Sequence, residues 1–174
     1  NSRGHILWID DEIHHLKPHI LFLEEKGYTL SQAANGQDGI ALSLQNNYDL
    51  ILLDQSMPGM DGLETLTELK KNRNSLPVIM ITKTEDEWLM DEAITGQIEQ
   101  FLIKPVNPSQ IFMACKQTLE QIKLQEERAL LIQKNEDLRM QRNENAKKMK
   151  GKLSQDERNI LIQEGKRLKE AIAD

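Results

Sequence analysis

The chain has 174 residues, 39% of them hydrophobic and only 4% aromatic, and a formal net charge of -6. That length suits one well-buried domain with a smaller appendage, and it is too short for two full domains. A single cysteine excludes an internal disulfide framework, and no apolar run approaches a membrane-spanning length, so a soluble cytoplasmic protein with no membrane partner is expected.

The charge is uneven: residues 1–116 carry 9 Lys/Arg against 17 Asp/Glu, and residues 117–174 carry 13 against 11. Within the acidic part, five short apolar runs alternate with helical patterns. They are HILWI (5–9), YTLSQA (28–33), LILLD (50–54), PVIMI (77–81) and QFLI (100–103). Between them, apolar residues recur at helical spacing, as in Ile20, Leu21 and Leu23, Leu63, Leu66 and Leu69, or Leu89 and Ile94. Such alternation predicts βαβ units around a parallel sheet. Gly27 closes the first helix, Asn35-Gly36 opens the second, and Asn107-Pro108-Ser109 opens the fifth. Trp8 and Cys115 read as core residues, the latter as a small buried hydrophobe. His14, His15 and His19 surround Pro18, and read as exposed histidines at a helix start.

Beyond Pro108 nothing interrupts a helix until Gly151, giving one helix of about 40 residues, or about 60 Å at 1.5 Å per residue. Leu124, Leu131 and Leu138 recur every seven residues, and Leu161 and Leu168 repeat the interval. Ser154 and Glu157 have the spacing of a capping box that restarts a helix, so residues 121–174 read as an antiparallel coiled-coil hairpin following a domain over residues 1–120. Asn135 and Asn145, near the leucine seam, would fix its register.

A strand that is apolar at nearly every position is buried on both faces, where charge is costly except at its end. LILLD nevertheless ends on Asp54, the first strand runs into Asp10-Asp11, the fourth into Thr82, and the fifth into Lys104-Pro105. If the strands are parallel, three carboxylates, a hydroxyl and an ammonium converge on one rim, where open α/β sheets bind ligands. Clustered carboxylates repel, which favours a hard divalent cation, and Mg²⁺ accepts two carboxylates with water and phosphate.

Asp10-Asp11, Asp54 followed by MPGMDG, Thr82 and Lys104-Pro105 resemble the receiver domain of two-component response regulators, the CheY-like fold. That resemblance implies a five-stranded parallel sheet in the order 2-1-3-4-5 with helices on both faces. It also implies that Asp54 accepts a phosphoryl group from a sensor histidine kinase or phosphotransfer protein, or from a small acyl phosphate, in a protein that promotes its own phosphorylation and dephosphorylation without being an enzyme. By the same likeness Asp11 and Asp54 would ligate Mg²⁺ directly, Asp10 through water, and the Ser56 backbone carbonyl would complete the set. Lys104 would neutralise the transferring oxygens.

The Thr82 hydroxyl would then move towards the phosphoryl group, coupled to Phe101, biasing the face made by the fourth helix, fifth strand and fifth helix. For Phe101 simple burial in the core is an equal expectation. Lys83 departs from the small residue usual in receivers and would bring a second cation to the phosphate site. Ser56 and Thr84 hold positions that tune phosphate lifetime in the family, and Trp88 could belong to the signalling face. KPHILFLEEKGY, MITKTEDEWLMDEAI and LIKPVNPSQI resemble receivers of regulators carrying a PglZ-type phosphatase domain.

LRMQRNENAKKMKGKLSQDERNILIQEGKRLKEAIAD is similar to the coiled-coil arm of seryl-tRNA synthetase, whose role is tRNA contact. Its tip carries Arg139, Arg142, Lys147, Lys148, Lys150 and Lys152 against Glu144 alone, yet no aromatic residue for base stacking, which makes RNA binding the lesser expectation. Pairing of two chains, through the coiled coil or the signalling face, is the other. The rival to a phosphorylation switch is a phosphorylation-independent scaffold acting through this tail.

Overall fold

The computed structural model describes residues 1–83, 89, 91–150 and 154–173. The five apolar runs form five strands, β1 (Gly4–Ile9), β2 (Tyr28–Ala33), β3 (Leu50–Asp54), β4 (Val78–Thr82) and β5 (Gln100–Ile103), all parallel in the order β2-β1-β3-β4-β5. β3 and β4 lie in the middle, and every residue of both is buried. Their side chains alternate between the two faces of the sheet. Ile6, Trp8, Leu52, Ile79 and Ile81 pack with Ile20, Leu23, Ile111 and Cys115 on one side; Leu7, Ile9, Ile51, Leu53 and Met80 pack with Leu66 and Leu69 on the other. At about 1.5–3 kcal/mol for each fully buried aliphatic side chain, these two layers hold the strand ends in register.

The helices are α1 (Lys17–Glu25), preceded by a 3-10 turn at Ile13–His15, α2 (Gly36–Gln45), α3 (Gly62–Asn72), α4 (Glu92–Thr95), α5 (Pro108–Met149) and α6 (Gln155–Ala173). Their starts are written in local chemistry. The Asn35 side chain accepts from Asp38 N at 2.8 Å. Asp61 and Glu64 close a reciprocal capping box, and Asn107 and Gln110 exchange the same pair of bonds at 2.9 Å each. Gly27 ends α1 with φ +100°, a conformation that glycine adopts without strain.

The chain forms two compact units, Asn1–Gln121 and Ile122–Asp174. In the second, Ser154 and Glu157 make the expected capping box, at 2.8 and 3.2 Å, and Asn145 Nδ2 donates to the Leu161 carbonyl at 3.0 Å, joining α5 to α6. The seven-residue seam is covered only in part: Asn145 and Leu168 are buried, whereas Leu124 and Leu131 remain about two-thirds exposed, at 65% and 63%, and Asn135 is exposed. Among the described residues no helix is long and apolar enough to cross a membrane.

His19 corrects the expectation of three exposed histidines. His14 and His15 are exposed in the 3-10 turn, but His19 is half-buried; its ring packs edge-on against Trp8 at 6.2 Å and its Nε2 bonds the Val106 carbonyl at 2.9 Å. Pro18 does start the helix, and one residue later the side chain shares the inward face of Leu16 and Leu23. The expectations attached to Thr84, Trp88, Gly151 and Lys152 lie outside the described residues.

Candidate functional site

The parallel register brings the strand ends together. Asp10 follows β1 directly, and its backbone N–H donates to the Ala33 carbonyl at 3.0 Å, so the chain leaves the sheet only after it. Its Oδ1 accepts from Glu12 N at 2.9 Å. Asp54 ends β3 opposite Ile81 of β4. Both carboxylates are 1% exposed, and with Asp11 they present oxygens that all lie within 4.8 Å of one another. Lys104 follows β5 and its N–H donates to the Thr82 carbonyl at 2.7 Å. From there its Nζ reaches Asp54 Oδ1 at 3.1 Å and Asp10 Oδ2 at 3.6 Å. Thr82, fully buried, ends β4.

The loop after Asp54 is shaped by glycine. Gly59 has φ +76°. Gly62, the first residue of α3, lies so close to the end of β3 that a Cβ there would come within 2.6 Å of the Asp54 carbonyl oxygen and of Gln55 Cα. The Gly62 N–H donates to Gln55 O at 3.0 Å, tying the helix start to the strand that carries Asp54. Ser56 is exposed in this loop, and Lys83 is exposed beside Thr82.

Burial dominates the electrostatics. It raises the Asp54 carboxyl to about 6, with the Asp10 charge adding to the effect and Lys104 opposing it. Asp10 is also raised, first by burial, although the Glu12 N–H and Lys104 pull it down. Burial alone would depress the Lys104 ammonium, but Asp10 and Asp54 outweigh it and hold the group above its ordinary value. One ammonium therefore faces three carboxylates, and Asp54 Oδ2 has no hydrogen-bond partner among the described residues. Oxygen donors of this charge and spacing fit a hard divalent cation.

Phe101 is 45% exposed on the edge strand β5, beside Met80 in register, and lines a shallow surface cavity with Thr95 and Ile98. Trp8, by contrast, is core, at 1% exposure. Cys115 is also buried, which pushes its thiol up to about 12. Gly62 and the Asp61–Glu64 cap were not singled out in the sequence; the D-x-x-E spacing of the cap is readable there, whereas the approach of Gly62 to β3 is not.

Residues 6–116 match the family model of the response regulator receiver domain. The chain belongs to this family. The transcriptional regulatory protein ResD of Bacillus subtilis is 33% identical over 114 residues, 66% of this chain and 47% of ResD. The chain spans about half the length of the curated relatives it matches. A CheY-like receiver domain protein from Methanospirillum hungatei is 27% identical, with a TM-score of 0.66 over 71% of this chain and 99% of that one. The response regulator TrrA of Thermotoga maritima, solved in complex with Mg²⁺ and BeF, is 28% identical, with a TM-score of 0.58 over 66% of this chain and 97% of TrrA.

Proposed function

We propose that this receiver is switched by phosphorylation of Asp54. The observation that carries the reading is the burial of Asp54 at the end of β3, with Lys104 Nζ 3.1 Å away and the Asp10 and Asp11 carboxylates beside it. An Asp54 oxygen attacks the phosphorus of a phosphohistidine on a sensor histidine kinase or phosphotransfer protein, or of a small acyl phosphate. The new P–O bond forms as the donor's P–N or P–O bond breaks, and the leaving group takes the electron pair. Lys104 neutralises charge on the transferring oxygens, and Asp10, held by the Glu12 N–H, keeps Lys104 in place. Asp11, Asp54 and the Ser56 carbonyl, with Asp10 beside them, would hold Mg²⁺, which would supply the positive charge that lets an anionic donor approach three carboxylates.

The acyl phosphate adds close to two negative charges at the strand end. Thr82 and Lys83 stand at the adjoining end of β4 to meet them, and the exposed Phe101 ring on β5 responds, altering the face formed by α4, β5 and α5. That face is the output surface and one candidate for pairing with a second copy. The domain ends near residue 120, and the α5–α6 tail is a rigid appendage; its basic tip and its likeness to the synthetase arm leave tRNA-like RNA as a weaker partner. The likeness to PglZ-linked receivers rests on the three sequence stretches quoted for it. The setting is cytoplasmic. A scaffold independent of phosphorylation has no use for three carboxylates gathered around one lysine, and is disfavoured.

Intact mass after incubation with acetyl phosphate and Mg²⁺ tests the reading. Wild type should gain about 80 Da, one phosphoryl group, and lose that gain with chelator or with Asp54→Ala. No gain under conditions that phosphorylate a control receiver overturns it.

A further inference from the structure

Lys104 is the cation of the acidic rim, and its ammonium reaches both Asp54 and Asp10 only while the backbone that carries it stays in place. The β5–α5 connection, residues 104–107, has few ties of its own. Pro105 has no N–H to donate, and Asn107 exchanges its bonds with Gln110 at the start of α5. On one side the connection borders a cleft of about 420 Å³, lined also by Trp8, Asp10, Leu16 and His19, so close packing is incomplete there. Among the described residues, two hydrogen bonds from other elements reach its backbone. The Lys104 N–H donates to the Thr82 carbonyl of β4 at 2.7 Å, and the Val106 carbonyl accepts from His19 of α1 at 2.9 Å.

The second of these bonds is pre-organised. A carbonyl oxygen can only accept, so His19 Nε2 carries the proton. The Trp8 ring, 1% exposed, meets the imidazole edge-on at 6.2 Å and restrains its orientation. Nδ1 is left buried without a partner among the described residues. An apolar side chain in this half-buried place would leave no such group unpaired, so stability alone does not account for a histidine here. The bond to Val106 does. A residue that breaks a local rule in this way is expected where function requires it.

We infer that His19 is a positioning residue of the acidic rim: by holding the Val106 carbonyl it ties the β5–α5 connection to α1, and so keeps the Lys104 ammonium within reach of both Asp54 and Asp10. The Nζ distances of 3.1 and 3.6 Å are the arrangement it maintains. That this arrangement serves phosphoryl transfer rests on the reading of Asp54 proposed above.

Trace acetylation of the full chain with acetic anhydride in chelator, read lysine by lysine by peptide mass spectrometry, tests the placement without any phosphoryl donor. Lys104, its side chain 22% exposed and paired with two carboxylates, should react slowly. His19→Phe removes the donor but keeps a ring, and should speed labelling of Lys104 roughly fivefold, the factor expected for loss of one ordinary hydrogen bond. His19→Gln, whose side chain also ends in an N–H donor, should restore slow labelling. Lys70 of α3, with Nζ bonded to the Leu76 carbonyl at 2.7 Å, is the internal control and should label at an unchanged rate. Should His19→Phe fail to fold, His19→Leu takes its place. In a second arm, uptake from acetyl phosphate and Mg²⁺ at saturating donor should slow by a similar factor in His19→Phe and recover in His19→Gln. Unchanged labelling of Lys104, labelling that rises equally at Lys70, or no recovery with Gln overturns the inference, as does uptake at the wild-type rate once Lys104 is exposed. A wild type that gains no phosphoryl group overturns the reading of Asp54 instead, and the labelling still decides the role of His19.

Discussion

Replacing Asp54 by Asn should stabilise the metal-free receiver at neutral pH, although it removes half of its closest ion pair. The Asp54 carboxyl is raised from 3.8 to about 6, burial being the largest cause. A carboxyl that holds its proton more tightly when folded makes the fold lose stability as pH rises between the unfolded and folded pKa values, and the full cost persists above the latter. A displacement of about two pH units at about 1.4 kcal/mol each amounts to roughly 3 kcal/mol. The attraction of Lys104 is already included, because it acts against the upward shift. Asn resembles the protonated side chain and carries no such cost, and Lys104 keeps Asp10 at 3.6 Å as its partner.

Urea unfolding in chelator, followed by tryptophan fluorescence, is the suitable assay, since Trp8 is buried in the core of the unit Asn1–Gln121. At pH 7 the variant should be more stable by about 2–3 kcal/mol, and below pH 4, where Asp54 is protonated in both states, the gain should vanish. Mg²⁺ should narrow the difference at pH 7, because a cation that binds only the folded site stabilises wild type by mass action. A variant that is equally stable or weaker at pH 7, or a gain that stays constant down to pH 4, would refute the claim that burial governs this carboxylate.

Three further outcomes follow from the same geometry. Lys104→Met leaves Asp10 and Asp54 buried without their cation, and should cost about 3 kcal/mol or more at pH 7 but little at pH 4, read from urea midpoints at the two pH values. Gly62→Ala forces a Cβ against the Asp54 carbonyl oxygen and Gln55 Cα, and should destabilise by about 1–3 kcal/mol while slowing phosphoryl uptake from acetyl phosphate, seen by intact mass. Asn145→Ala breaks the bond to the Leu161 carbonyl and should speed hydrogen exchange in α6 by roughly fivefold, about 1 kcal/mol of local stability, without moving the tryptophan-detected transition.

The acidic rim was legible because burial on both faces leaves a signature: in LILLD and VIMIT every residue is buried, so the first polar residue of each run marks a strand end. Parallel pairing then does the gathering, which no single strand reveals. Legibility fails where one face decides the outcome. The four residues of β5 alternate between half-buried and exposed, because β5 is an edge strand, and QFLI alone cannot say on which side Phe101 emerges. His19 is placeable from sequence, since it stands three residues after Leu16 and four before Leu23, on the helix face that packs inward; Pro18 beside it marks only where the helix starts. Leu124 and Leu131 show the reverse failure: their spacing is that of a seam, yet nothing among the described residues of their unit buries them.

The position of Lys104 constrains how a switch built here can work. Before phosphorylation its Nζ is shared between Asp54 and Asp10, nearer the former at 3.1 Å than the latter at 3.6 Å. A phosphoryl group on Asp54 moves negative charge outward from the carboxylate and nearly doubles it, so Lys104 must follow the charge or leave it unpaired in a buried setting. Its backbone N–H is bonded to the Thr82 carbonyl at 2.7 Å, and the ends of β4 and β5 are therefore coupled to where that side chain points. The register sets Ile103 beside Thr82 and Phe101 beside Met80. On the proposed reading, a shift of charge at Asp54 thus has a short covalent and hydrogen-bonded route to the exposed ring on β5, through Lys104 rather than through Thr82 alone. Lys104→Arg should separate the two roles: it retains the positive charge that assists phosphoryl uptake, but its longer planar head cannot divide itself between the two carboxylates as a compact ammonium does. Phosphorylation that proceeds by intact mass while the ¹H–¹⁵N resonances of β5 fail to move would place the signal in Lys104; unchanged β5 shifts between Lys104→Arg and wild type would place it elsewhere.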